Sequence, residues 1–405
     1  MGLLEDLAAP HELDGRAFQA DPYPRYRQLR SAGPLHAHPS IPGGHLLTRY
    51  ADCEAVLRDA RWSSDAAHLD GADTTINARS MLAAAGVKIM LFTDPPDHTR
   101  LRRLVSKAFT PRAVESYRPR IQAIVDELLD EAHERGEMDV IGDFGFVVPV
   151  RIICEMLGVP AEDRDKFRPW SADTTRLIDG NLDEATTTRA MASALQVIDY
   201  LGDLIADHRA HPRDDLLSAM IAAEEEGDRL TEEELRLNAL LLFMAGHETT
   251  TNLIGNGTKA LLEHPDERRR WHDDPGLTPS AVEELLRWDS PVQLTARFAT
   301  TDLELVDRPV VRGTPAIVLL AAANRDPDRF TDPERLDLGR REGPPLTFSL
   351  GMHHCLGAAL ARMEGQVALG TMVARFPDLE LRTDALEYRE HEILRGLRAL
   401  PVAVG

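Results

Sequence analysis

The chain has 405 residues, 43% of them hydrophobic, and a formal net charge of −21. That acidity argues against nucleic acid as a partner, and without a run of about 18 apolar residues no membrane span is expected. Three widely spaced cysteines, Cys53, Cys154 and Cys355, do not make a disulfide framework and fit a reducing cytoplasm.

The first residues, Met1-Gly2-Leu3-Leu4-Glu5-Asp6, carry neither a basic region nor an apolar run, so no signal peptide is expected. No Pro/Ser/Gly-rich linker, low-complexity tract or repeat interrupts the periodic segments. One large, mainly α domain over 1–405 is predicted, with a minor β-sheet and a core large enough to enclose a cofactor.

In chain order, residues 25–32 predict a short helix, and 45–48 an apolar, partly β-branched strand. Residues 63–90 have weak periodicity and many small side chains. They read as a long loop, of the kind that is usually functional or mobile in a compact domain. Asp94-Pro95-Pro96 opens a helix, with proline in the first turn where no N–H is needed. On that helix His98 and Arg102 share a face, as do Arg103 and Lys107. Thr231-Glu232-Glu233-Glu234 has the pattern of a capping box. The helix it starts should run to about His264, roughly 30 residues or about 45 Å, enough to cross the molecule. Pro279 starts another helix, on which Glu284 and Arg287 stand at a spacing that allows an ion pair. Alone, such a pair would read as a weak surface contact. Residues 303–312 predict a hairpin about Asp307-Arg308, and 316–320 a strand.

The middle of the long helix breaks local rules. Ala245-Gly246-His247-Glu248-Thr249-Thr250-Thr251-Asn252 sets glycine and threonine where leucine or alanine would be stabler. Threonine hydroxyls there can bond back to carbonyls and bend the helix. Places where local consistency fails are often functional. Leu241, Ala245, Glu248 and Asn252 fall near one face, with Thr249 beside Glu248. The segment alone would also suit a polar helix face at an interface.

Residues Phe348-Ser349-Leu350-Gly351-Met352-His353-His354-Cys355-Leu356-Gly357 read F-x-x-G-x-H-x-C-x-G. The pattern suits a thiolate held in a tight loop beneath a flat metal centre. Gly351 allows a turn with positive φ, and Gly357 lets a helix start close to a large planar group. Haem iron takes an axial cysteine thiolate when it activates dioxygen, because the sulfur pushes electron density towards O–O cleavage. An isolated cysteine would instead read as a small buried hydrophobe.

Together these motifs resemble the cytochrome P-450 family, the haem-thiolate monooxygenases. The 245–250 run is similar to its oxygen-activation motif, Glu284-x-x-Arg287 to its E-x-x-R motif, and 348–357 to its cysteine-loop signature. Asp94-Pro95-Pro96-Asp97-His98-Thr99-Arg100-Leu101-Arg102 resembles the start of the helix that contacts haem propionates in bacterial members. Order and spacing agree from about Asp21 to the C-terminus. One place departs: directly after Phe348, where the signature often has glycine, stands Ser349, and serine can hold most loop conformations.

The resemblance implies the P-450 fold as a single domain around haem b, iron protoporphyrin IX, with Cys355 as proximal ligand. His98, Arg102, Arg297 and His353 are its candidate propionate contacts, and Phe348 packs on the sulfur side. Glu248 and Thr249 are its catalytic candidates over the distal face, delivering protons to bound dioxygen. Glu284 and Arg287 are structural. The substrate pocket comprises Leu241, Met244 and Ala245, residues 89–92, Val292 to Thr295, and Ile393 with Leu394. Those side chains imply a mid-sized apolar substrate such as a macrolide, polyketide, terpenoid or steroid. The resemblance further implies a cytoplasmic monomer of the soluble bacterial type, with ferredoxin and ferredoxin reductase as electron donors. Arg103, Lys107, Arg112 and Arg362 are candidates for the docking patch. A peroxide-driven peroxygenase or a non-catalytic haem sensor would share the fold but would not need the Glu248-Thr249 pair.

Overall fold

The computed structural model describes residues 15–38, 43–68, 88–107, 109–179, 182–225 and 228–405. The helices that build the site are α1 (Asp97–Ser106), α2 (Arg118–Arg135), α3 (Phe167–Thr174), α4 (Glu232–Glu263), α5 (Thr278–Trp288) and α6 (Ala358–Arg375).

The capping box forms as its sequence predicts. Thr231 Oγ1 accepts the Glu234 N–H at 3.2 Å, and Glu234 Oε2 accepts the Thr231 N–H at 2.9 Å. With that start, α4 runs 32 residues to His264, where Pro265 follows. From His247 to Thr258 nearly every side chain is buried, so the helix passes through the core rather than over it. It packs against Val147–Met156, Glu184–Ala210, α5 and α6, and α6 in turn packs on α2. Among the described residues no helix is long and apolar enough to cross a membrane.

A five-stranded mixed sheet flanks this helical body. Its strands are β1 (Leu35–Ala37), β2 (His45–Leu47), β3 (Trp62–Ser63), β4 (Thr295–Ala299) and β5 (Pro315–Val318), in spatial order β1-β2-β5-β4-β3. Only β2 and β5 run parallel.

Three sequence boundaries shift. The strand expected over 316–320 stops at Val318, and Leu320–Ala323 turns into a short helix. Three consecutive alanines favour helix over strand, which explains the change. The hairpin turns at Val306-Asp307, both with positive φ, one step earlier than expected, as a two-residue primed turn requires. The first of the predicted helices starts at Tyr23. Of the weakly periodic 63–90 stretch, Ala66–His68 and Met90–Phe92 form single helical turns, and 69–87 lie outside the described residues.

Glu284 and Arg287 are no surface pair. Both are buried, joined by two bonds of 2.7 and 2.8 Å. Glu284 also takes the Arg340 Nε at 3.1 Å and the Asp337 N–H at 2.9 Å. Arg287 donates to the carbonyls of Asn324 and Pro333 at 2.9 and 3.0 Å. Asn324 in turn accepts the Leu346 N–H at 2.7 Å and donates to Thr347 Oγ1 at 2.9 Å. The network therefore anchors the two residues that precede Phe348.

Removing one partner from such a buried group leaves an uncompensated charge, which costs about 3–5 kcal/mol. Glu284→Ala should lower unfolding stability by that amount in a urea titration followed by circular dichroism. A loss of only a few tenths of a kcal/mol, as at an exposed pair, would show that the cluster does not anchor the fold.

Candidate functional site

The cysteine loop is built by backbone geometry. The Cys355 N–H donates to the Phe348 carbonyl at 2.9 Å, and the His354 N–H to Gly351 at 3.1 Å. Gly351 has φ +69°, and a Cβ there would lie 2.3 Å from the Leu57 carbonyl oxygen, so glycine is required twice over. Gly357 caps α6; a Cβ there would meet no protein atom within 4 Å, because it faces a cavity. Ser349 corrects the sequence expectation. Its φ of 57° and ψ of −173° fall in a region that is essentially reserved for glycine.

Cys355 is exposed and lines that cavity. Protein surrounds it elsewhere, and this burial pushes its thiol pKa up, while the Gly357 N–H, Arg102, Arg362 and the Ala358 N–H pull it down. Cys53 and Cys154 are buried and do not line the cavity. Phe348 lines it too, with the Arg362 guanidinium 4.4 Å from its ring centre.

The cavity spans about 1920 Å³ of non-atom space, the open solvent at its mouth included. Leu241, Met244, Ala245 and Thr249 of α4 line it, with Val292, Thr295, Ile393, Leu394 and Met90 to Phe92 opposite. Ile89 and Gln293 are buried but do not reach it.

Glu248 also does not reach it. Its carboxylate forms an ion pair with Arg389, whose side chain is 25% exposed against 2% for Glu248. The cavity face of α4 follows Ala245, Thr249 and Leu253, one step round from the face that carries Glu248 and Asn252. Thr249 Oγ1 meanwhile donates to the Ala245 carbonyl at 3.0 Å, the back-bond its sequence suggested.

At another part of the wall, polar donors converge. His98, Arg102, Arg297 and His353 all line the cavity. The two imidazoles lie 4.3 Å apart, centre to centre, and neither Nε2 has a hydrogen-bond partner. Burial holds the His353 pKa down to about 3, and Arg297, His98 and Arg102 add to the effect. Burial lowers His98 as well, with Arg102 and Arg297 on the same side and Asp94 opposing. Arg102 Nη2 donates to the His354 carbonyl at 2.6 Å and so ties α1 to the cysteine loop.

These residues fit a haem. The orphaned imidazole donors and two guanidiniums suit its carboxylates, and the space beside Gly357 suits its ring. Among the described residues no three His, Cys, Asp or Glu side chains cluster as a metal cage, so a lone thiolate suits a metal that brings its other ligands with it.

The family model for cytochrome P450 matches residues 74–274 and 276–395. The chain belongs to the cytochrome P450 family. It is 43% identical over 411 residues to vitamin D(3) 25-hydroxylase of Pseudonocardia autotrophica, covering 100% of this chain and 99% of that one. It is 38% identical to 6-deoxyerythronolide B hydroxylase of Saccharopolyspora erythraea, covering 96% and 98%. The solved structure of P450BioI in complex with hexadec-9Z-enoic acid ligated acyl carrier protein superposes with a TM-score of 0.89 at 38% identity, covering 96% and 99%. The chain is therefore a P450 monooxygenase, of a family whose haem is held by a cysteine thiolate.

Two features of this P450 escaped the sequence. Glu364 of α6 lines the cavity, accepts the Thr250 hydroxyl at 3.1 Å and leaves Oε1 without a partner; burial pushes its pKa up to about 8. Asp179 is buried, takes His391 Nδ1 at 3.0 Å and the N–H groups of Glu392 and Ile393 at 3.1 and 3.4 Å, and forms an ion pair with Arg176 at 3.2 Å. It thereby joins the turn carrying Thr175 and Ile178 to the segment carrying Ile393 and Leu394, all four of which line the cavity.

Ser349 Oγ has no hydrogen-bond partner, so its side chain offers nothing to offset its backbone strain. Ser349→Gly should raise stability to urea by about 1 kcal/mol, the lower end of the cost of such a conformation. An unchanged or lower midpoint would show that the loop is not strained there.

Proposed function

We propose that this P450 inserts one oxygen atom from dioxygen into a mid-sized apolar molecule, with haem b ligated by Cys355 and electrons supplied by a ferredoxin and its reductase. The observation that carries the substrate class is the wall around Thr249. It is almost entirely aliphatic, from Leu241 and Met244 to Val292, Ile393 and Leu394, and apolar burial is the main affinity such a wall offers. Two of the relatives named above are hydroxylases, which supports hydroxylation as the reaction.

When bound, the haem and its thiolate supply dioxygen activation. The protein's part is binding, orientation and proton supply. His98, Arg102, Arg297 and His353 hold the carboxylates and so fix the ring's rotation. The aliphatic wall excludes water and orients the substrate. Thr249 presents a hydroxyl at the dioxygen site, free to exchange its Ala245 bond for one to the reacting oxygen. Glu248 stands one step behind it, and its pair with Arg389 spans from the core to the surface. Opening that pair would let Glu248 collect protons from solvent and pass them towards Thr249. Glu284 and Arg287 act only through the fold.

The electron donor docks on the cysteine side. Arg103, Lys107 and Arg112 are exposed and are candidates for that docking. Arg362, paired with Glu283, belongs to the same candidate patch. The reaction runs in the cytoplasm, beside the pool that reduces ferredoxin.

A substrate screen that watches the Soret band for a low-spin to high-spin shift supplies the ligand for the decisive test. With that ligand, Thr249→Ala should keep haem and substrate binding but lose coupling. NADPH consumption should continue, hydrogen peroxide should rise, and product per NADPH should fall roughly tenfold or more, as for removal of a proton-transfer group. A product-to-NADPH ratio equal to the parent's would remove Thr249 from the proton path.

A further inference from the structure

Ser64 stands where the sequence reading saw only the start of a long loop. The residue is 6% exposed, lines the cavity, and its Oγ has no hydrogen-bond partner. A buried hydroxyl left unpaired costs stability unless a ligand completes it. The sheet fixes where it lies. Ser63 of β3 pairs with Phe298 of β4, and Ser64 follows directly where that strand ends and the chain bends. Arg297, next to Phe298 on β4, lines the same cavity. A second tether comes from Asp94. Its Oδ1 accepts the Ser64 N–H at 3.2 Å, its Oδ2 accepts the Ser63 hydroxyl, and its carbonyl accepts the His98 N–H at 2.9 Å. Asp94 thus knits the end of β3 to the first turn of α1. The Ser64 hydroxyl, the His98 Nε2 and the His353 Nε2 are three buried polar atoms without partners, all on the cavity wall.

We propose that Ser64 is a haem-binding residue whose hydroxyl donates a hydrogen bond to a haem carboxylate, with Asp94 as the positioning residue that holds it beside His98 and Arg297. This rests on the haem reading above. A hydroxyl adds a short, directional donor to a site otherwise made of imidazole and guanidinium. It leaves the charge balance unchanged.

The test uses the holoenzyme with Ser64→Ala and Ser64→Thr. Haem transfer to excess apomyoglobin should be roughly tenfold faster for Ser64→Ala, which is what loss of one hydrogen bond to a charged group predicts. Ser64→Thr, which keeps the hydroxyl, should stay near the parent. In resonance Raman spectra the propionate bending band should shift for Ser64→Ala and not for Ser64→Thr. An unchanged band in Ser64→Ala overturns the proposal even if haem leaves faster, because faster loss alone would be a packing effect. The carbon monoxide complex of the reduced parent separates the two claims. A thiolate-type Soret band with no Ser64 effect sinks this inference alone, and absence of that band sinks the haem reading with it.

Discussion

The buried carboxylate of Glu284 is the constraint on which the site depends. Its charge is balanced by Arg287 and Arg340, and all three side chains are nearly closed to solvent. Arg287 then spends its remaining donors on backbone carbonyls, including that of Asn324, which holds Leu346 and Thr347. Phe348 follows, and its carbonyl receives the Cys355 N–H. The thiol is thus placed by a chain of short polar contacts that begins in the core of α5. A flexible loop could not keep a sulfur at a fixed height below a planar group. A loop anchored at its root by a buried ion cluster, and bent at Gly351 against the Leu57 carbonyl, can.

A second division follows from the same loop. The cavity wall is polar beside α1 and the cysteine loop, and apolar along α4 and the C-terminal segment. The polar part matches carboxylates, the apolar part a substrate. Between them Thr249 contributes a hydroxyl from a helix that gives up packing to hold it. Asp179 closes the arrangement from outside. It fixes the backbone of Glu392 and Ile393, so the apolar wall is held by a carboxylate that never enters the cavity.

Much of this was legible in the sequence, for identifiable reasons. The capping box and Pro265 set both ends of α4, because helix ends are decided by local hydrogen bonds. Gly351 was readable because one residue type dominates at positive φ. The role of Ser349 was not, since nothing local shows that its backbone takes a glycine conformation. Glu284 and Arg287 taken alone read as a surface pair, because burial is a property of the packed fold, and only the resemblance made them structural. Helical period groups Glu248 with Leu241, Ala245 and Asn252, and the resemblance sets it over the distal face. The period located the face to within one step, and Arg389, distant in sequence, decided which way Glu248 turned. Ser64, Glu364 and Asp179 share that cause: each takes its meaning from partners on other elements.

The central claim is that Cys355 is the proximal ligand of a haem. The most direct measurement is the Soret band of the reduced carbon monoxide complex in the parent and in Cys355→Ala. The account predicts the red-shifted band of a thiolate-ligated haem in the parent and its loss in the variant, with any remaining haem absorbing as an imidazole- or water-ligated form. A Cys355→Ala protein that kept the red-shifted band would contradict it and move the ligand elsewhere.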